Sequence, residues 1–179
     1  MQPGHNIESV LYSAEDISER VNELGKLITE TYSGKELMLI CPLKGSVIFF
    51  ADLMREIKIP VEIDFMSVSS YNSSTISSGE VKILKDISTG IAEKHVLIIE
   101  DIIDTGLTLK EVRGIIEKRK PASLKICTLL NKPSRRIADI EPDWSGFVIP
   151  DKFVVGYGLD YGEKFRNLPY IGVLKASNT

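Results

Sequence analysis

The sequence predicts an α/β domain built around a largely parallel twisted sheet, and three observations carry that expectation. Short apolar runs, LMLIC (37–41), HVLII (95–99) and LKICTLL (124–130), alternate with stretches that repeat at helical spacing. A length of 179 residues suits one domain with a real core and is short for two. Hydrophobic residues make up 43% and charged residues 26%, an ordinary balance for a soluble globular chain.

Each element has its own local reason. Ser13 with Asp16 forms a capping-box start, after which Ile17, Val21, Leu24 and Ile28 recur on one helical face. Gly34 in YSGKE stops that helix. LMLIC follows as a buried strand, GSVIFFADLMREI (45–57) as a helix left through Pro60, and VEIDFMSV (61–68) as a second strand. SSYNSSTISSGE (69–80) is a polar, serine-rich connection. VKIL (81–84) and HVLII read as strands with STG (88–90) as a turn, LTLKEVRGIIEKR (107–119) as a helix ending before Pro121, and LKICTLL as the next strand. There is no internal repeat, linker or low-complexity block.

Several function classes are disfavoured. A net charge of −3 argues against a nucleic-acid binder with a broad basic surface, while leaving room for a local basic pocket. The first twenty residues lack a basic head followed by an apolar stretch, and no apolar run approaches the ~20 residues needed to span a bilayer. A cytoplasmic protein without a membrane partner is therefore expected. Cys41 and Cys127 lie far apart in apolar segments, the pattern of buried reduced thiols.

Ligands of parallel sheets gather at the carboxyl ends of strands, so the segments of interest are 42–46, 69–80, 100–108, 131–136 and 156–166. DTGLT (104–108) leads from strand to helix: Gly106 lets the backbone curl, and amides and hydroxyls of Asp104, Thr105, Gly106, Leu107 and Thr108 can converge on a phosphate at a helix N-terminus. Helix capping by Asp104 or Thr105 explains the turn alone equally well. Glu100 and Asp101 tip the balance, because adjacent carboxylates suit a ribose diol or a hydrated metal ion. A ligand with a phosphate at one end and vicinal hydroxyls in its middle is a ribose phosphate. GxxxxGK[ST] and GxGxxG are both absent, and Asp101 and Asp104 stand three apart rather than in a DxD pair.

VLIIEDIIDTGLT (96–108) resembles the signature of the type I phosphoribosyltransferases, in the form found in hypoxanthine-guanine phosphoribosyltransferases. LKGS (43–46), SY (70–71), LLNKPSRR (129–136) and PDKFVVGYGLDYGEKFRNLPY (150–170) extend the resemblance over most of the chain. It implies a single domain over 1–179, with a core at about 35–150 and a small base-binding hood from the N-terminal segment and about 151–179. It implies phosphoribosyl pyrophosphate as donor, 6-oxopurine bases as acceptors, Mg2+ as cofactor, and homodimers or homotetramers.

The same resemblance assigns residues. Lys44 and Gly45 meet pyrophosphate through backbone amides, often beside a non-proline cis peptide, with Arg166 and Arg136 as further pyrophosphate partners and Arg135 a surface residue. Glu100 and Asp101 serve ribose or metal, and Asp160 a water-held magnesium ion at the edge of the purine site. Phe153 stacks on the purine, Val154 offers backbone groups to its edge, and Lys132 donates to the exocyclic oxygen, a pairing adenine cannot return. Asp104 is the expected catalytic residue, hydrogen-bonded to the imidazole part of the base. Ser70 and Tyr71 mark a lid over 69–80, although Asn72 stands where the family commonly has glycine, and Leu107 where some relatives have lysine. A regulatory protein that senses the donor or purines without turnover, and a xanthine-preferring relative, are the alternatives.

Overall fold

The computed structural model describes residues 6–70 and 81–175. A six-stranded sheet has the order β4-β3-β2-β5-β6-β7, formed by β2 (Leu37–Leu43), β3 (Val61–Ser70), β4 (Val81–Lys85), β5 (His95–Ile103), β6 (Ser123–Asn131) and β7 (Trp144–Val148). All neighbours pair in parallel except β3 with β4. A separate antiparallel sheet, β1-β9-β8, joins β1 (Ile7–Tyr12), β8 (Val154–Val155) and β9 (Ile171–Leu174).

Strand alternation divides the core into two layers. Leu39 and Cys41 of β2, with Leu97 and Ile99 of β5, pack beneath α1 (Ala14–Thr31) and α2 (Val47–Glu56), against Ile17, Val21, Leu24, Phe49 and Leu53. Met38, Ile40, Val96 and Ile98 face the opposite way, onto Leu109, Val112 and Ile116 of α3 (Leu107–Glu117). The capping box at Ser13 is formed in both directions, Ser13 N–H to Asp16 at 2.8 Å and Asp16 N–H to Ser13 Oγ at 3.1 Å. Gly34 takes φ +74° just past α1. Both cysteines are free and buried, and burial pushes the Cys41 thiol up to about 11.

Two kinds of difference separate this architecture from the sequence expectation. β5 runs on to Ile103, so Glu100 and Asp101 are strand residues; Glu100 pairs opposite Thr128 and Ile102 opposite Leu130. Carboxylates are poor strand formers in isolation, and neighbouring strands on both sides override that preference. β1, β7, β8 and β9 were not anticipated. β1 is an edge strand with half its residues exposed and none buried, β8 has only two residues, and β7 contains Gly146, where an added Cβ would lie 2.5 Å from the Leu129 carbonyl oxygen. The helices are also shorter than 45–57 and 107–119, as ends fray into turns.

Asp64 on β3 closes the loop before β5. Its buried carboxylate accepts from the amides of Phe65 (2.7 Å), Ser88 (2.7 Å) and Thr89 (3.0 Å) and from the Ser88 hydroxyl. Burial alone would push this carboxyl up, but those hydrogen bonds together hold it well below the usual carboxylate range. A depressed folded-state pKa adds stability above the unfolded value near ~4 and loses it as pH falls through the folded one. Asp64→Asn should therefore cost roughly 2–3 kcal/mol at pH 7, a gap from the parent that narrows below about pH 4. Urea unfolding across pH reads it; a gap independent of pH would remove the carboxylate's charge from the account.

Candidate active site

Two adjoining hollows open at the carboxyl ends of β2, β5 and β6, and Asp104 lines both. One, of about 220 Å³, is bounded by Glu100, Thr105, Gly106 and Thr108 with Pro42, Leu43 and Val68. The other, of about 380 Å³, is bounded by Lys44, Gly45, Asp101, Lys132, Phe153, Val154, Asp160 and Arg166. A larger groove of about 450 Å³ lies behind Arg166, between α1 and α2.

The smaller hollow is the turn anticipated at 104–108. Gly106 has φ +78°, a left-handed conformation, and an added Cβ would lie 2.7 Å from Ile140 Cγ2. It precedes the first turn of α3, whose amides are unpaired within the helix and suit an anion. Leu107 N–H lies 3.5 Å from Thr105 Oγ1, so capping there is loose.

In the larger hollow, Lys44 follows a cis Leu43–Lys44 peptide bond. The close approach is at Gly45: a Cβ there would lie 1.9 Å from Asp101 Oδ2. Glu100 and Asp101 thus divide between the hollows instead of both facing one ligand group, as expected from residues adjacent on a strand. Burial raises both carboxyls, and the Asp101 charge raises Glu100 further. No three acidic, histidine or cysteine side chains converge on a metal position among the described residues. The expected grouping of Glu100, Asp101 and Asp160 is therefore not a preformed metal cage.

The cations are already paired. Lys44 Nζ lies 3.0 Å from Glu163, and Arg166 Nη2 lies 2.8 Å from Asp160 and 3.3 Å from Glu163. Asp160 also accepts the Glu163 amide at 2.8 Å. Lys132, 6% exposed, has its ammonium 3.8 Å from both Asp104 and Asp151, and Arg135 Nε lies 3.3 Å from Asp104. Glu163 and Asp151 were not singled out from the sequence. Their only local signal is the acid three residues before Arg166 and the acid opening DKF.

Arg136 is held by its own chain. Its guanidinium donates to the Ile140 carbonyl at 2.7 Å, the Asp104 carbonyl at 3.3 Å and the Asn131 side chain. Those bonds brace the 131–140 loop against the turn at 104, with Arg136 Cδ beside Gly106. Phe153 is 45% exposed and meets Tyr161 edge-on, ring centroids 5.6 Å apart. Val154 lies on β8, an edge strand with one side of its backbone outside the sheet. Ser70 ends β3, whereas Tyr71 and Asn72, and with them the lid, fall outside the described residues.

A family model described as the phosphoribosyl transferase domain matches residues 9–162. The chain is 56% identical over 171 residues to the hypoxanthine-guanine phosphoribosyltransferase of Bacillus subtilis, covering 96% of this chain and 95% of that one. It superposes on a Staphylococcus aureus hypoxanthine phosphoribosyltransferase with a TM-score of 0.95 at 52% identity, over 97% and 95% of the two chains. A Trypanosoma cruzi hypoxanthine phosphoribosyltransferase variant, solved as a ternary substrates complex, gives 0.92 at 40% identity over 97% and 98%.

Because Asp101 is buried under Gly45, Gly45→Ala should destabilise the fold by roughly 1–3 kcal/mol, the ordinary cost of overpacking. Chemical denaturation measures this, and an unchanged midpoint would mean that the Asp101 carboxylate yields freely.

Proposed function

The chain belongs to the phosphoribosyl transferase family, and from that footing we propose how its residues divide the reaction. It is a purine-salvage enzyme that moves the 5-phosphoribosyl group of phosphoribosyl pyrophosphate to hypoxanthine or guanine, giving IMP or GMP and pyrophosphate. The observation that carries the division of labour is Asp104, which belongs at once to the phosphate hollow and to the hollow containing Lys132 and Phe153. The anomeric carbon must lie between those two ends of the ligand.

In this reading the amides and hydroxyls of 104–108 hold the 5-phosphate, each charge-assisted bond contributing about 1.5–3 kcal/mol. Lys44, Gly45 and Arg166 receive pyrophosphate, and Lys132 donates to the exocyclic oxygen of the base while Phe153 stacks on it. As the carbon–oxygen bond to pyrophosphate lengthens, the ribose gains cationic character, which the carboxylates of Glu100 and Asp101 stabilise. The purine nitrogen then bonds to carbon, its ring proton becomes acidic, and Asp104 accepts it. Water is the competing nucleophile, and a lid at Ser70 and Tyr71 excludes it.

Magnesium suits this donor set as a companion of pyrophosphate. Glu100 and Asp101, with Asp160 through water, would hold it beside the pyrophosphate. When bound it neutralises charge on the leaving group. The β1-β9-β8 sheet, with chain from both ends, serves as the hood over the base, completing one functional domain. No helix among the described residues is long and apolar enough to cross a membrane, and we place the enzyme in the cytoplasm as a homodimer or homotetramer without nucleic acid.

Turnover with phosphoribosyl pyrophosphate and magnesium should occur with hypoxanthine and guanine and be marginal with adenine. Asp104→Asn should lower kcat by about 10²-fold or more, the range of general-base contributions. Tight donor binding without product from any base would overturn the enzymatic reading in favour of a sensor. Normal turnover in Asp104→Asn would remove Asp104 as the base.

A further inference from the structure

The segments given to pyrophosphate come from distant parts of the chain. Lys44 and Gly45 lead into α2, while Arg166 closes a loop beginning at Gly156. The two meet at Gly158, where an added Cβ would stand 2.1 Å from the Gly45 carbonyl oxygen. Gly158 also aims the arginine: its carbonyl accepts Arg166 Nη1 at 2.8 Å, and its amide donates to the Arg166 carbonyl at 3.0 Å.

Tyr157, immediately before Gly158, is 8% exposed with φ +50°, and its amide donates to the Leu168 carbonyl at 2.8 Å. Its hydroxyl donates to Asp52 Oδ2 on α2 at 2.5 Å, across 105 residues of chain. Burial and then the Asp52 carboxylate push the phenol far up, so it stays a donor at any working pH. Nothing in the chemistry above uses either residue.

We propose that the Tyr157–Asp52 hydrogen bond is a positioning contact that keeps the Arg166 loop in register with the Lys44–Gly45 loop, setting affinity for the pyrophosphate half of the donor. Rotation at Tyr157 is transmitted directly to the Gly158 carbonyl and from it to the guanidinium. Lys132 is anchored elsewhere, its amide donating to the Ile103 carbonyl at the end of β5 at 3.0 Å, so that contact to the base is insulated. The inference rests on the assignment of Lys44, Gly45 and Arg166 to pyrophosphate.

The test compares Tyr157→Phe, Asp52→Ala, their double variant and Asp52→Asn in the full-length enzyme. The readouts are KM for phosphoribosyl pyrophosphate, KM for hypoxanthine, calorimetric binding of pyrophosphate with magnesium, and thermal melting. Each single variant should weaken donor KM and pyrophosphate binding about tenfold, the worth of one hydrogen bond, and leave hypoxanthine KM within about twofold. The double variant should be no worse than the weaker single, and Asp52→Asn, which retains an acceptor oxygen, should recover most of the loss. Equal changes in both KM values, additive effects, or a lowered melting point with unchanged binding would overturn the proposal. Arg166→Gln separates the two levels: unchanged pyrophosphate binding there defeats the assignment of the cleft, whereas loss there with none in Tyr157→Phe defeats the positioning contact alone.

Discussion

The parallel pairing of β5 between β2 and β6 is the constraint on which the site depends. His95 through Ile98 lie opposite Leu37 through Ile40, and the same strand continues alongside β6 to Asn131. Its backbone hydrogen bonds carry two carboxylates into positions they would not hold alone. Asp101 then lies beneath Gly45, at the end of β2, and Asp104 follows at the mouth where α3 begins. Chain direction, rather than the side chains' own preferences, brings the 104–108 turn and the acids to one edge of the sheet.

The same edge collects like charges, and the protein handles them in two ways. Glu100 is half-buried and Asp101 buried, both carboxyls are raised, and the hollows are divided between them. The cations each rest against an internal carboxylate: Lys44 on Glu163, Arg166 on Asp160 and Glu163, Lys132 between Asp104 and Asp151. The Lys44–Glu163 pair is largely exposed and so contributes little to folding. Each of these cations is thus compensated within the chain, so the cleft is not an uncompensated basic patch in a chain of net charge −3.

Much of this was legible beforehand. The capping box at Ser13 and Asp16, the apolar stripe from Ile17 to Ile28, the central strands and the Gly106 turn all follow from local pattern, and each is present. The partners of Arg136 were not legible, because an arginine beside a loop has the same sequence signature whatever it donates to. The carbonyls of Asp104 and Ile140 that occupy it belong to other turns. β8 and β9 were missed since two- and four-residue strands carry no period of their own.

By itself, the sequence determined the α/β class, the order of the central elements, and which polar residues would gather at the carboxyl ends of the strands, because those depend on periodicity, turn chemistry and motif spacing along a contiguous stretch. Only the tertiary structure decided that Glu100 and Asp101 serve different hollows, that Asp104 belongs to both, and that Tyr157 reaches Asp52. Those are relations between residues up to 105 positions apart. They are set by strand register and by close backbone contacts such as Gly158 on Gly45, which leave no periodic trace in the chain.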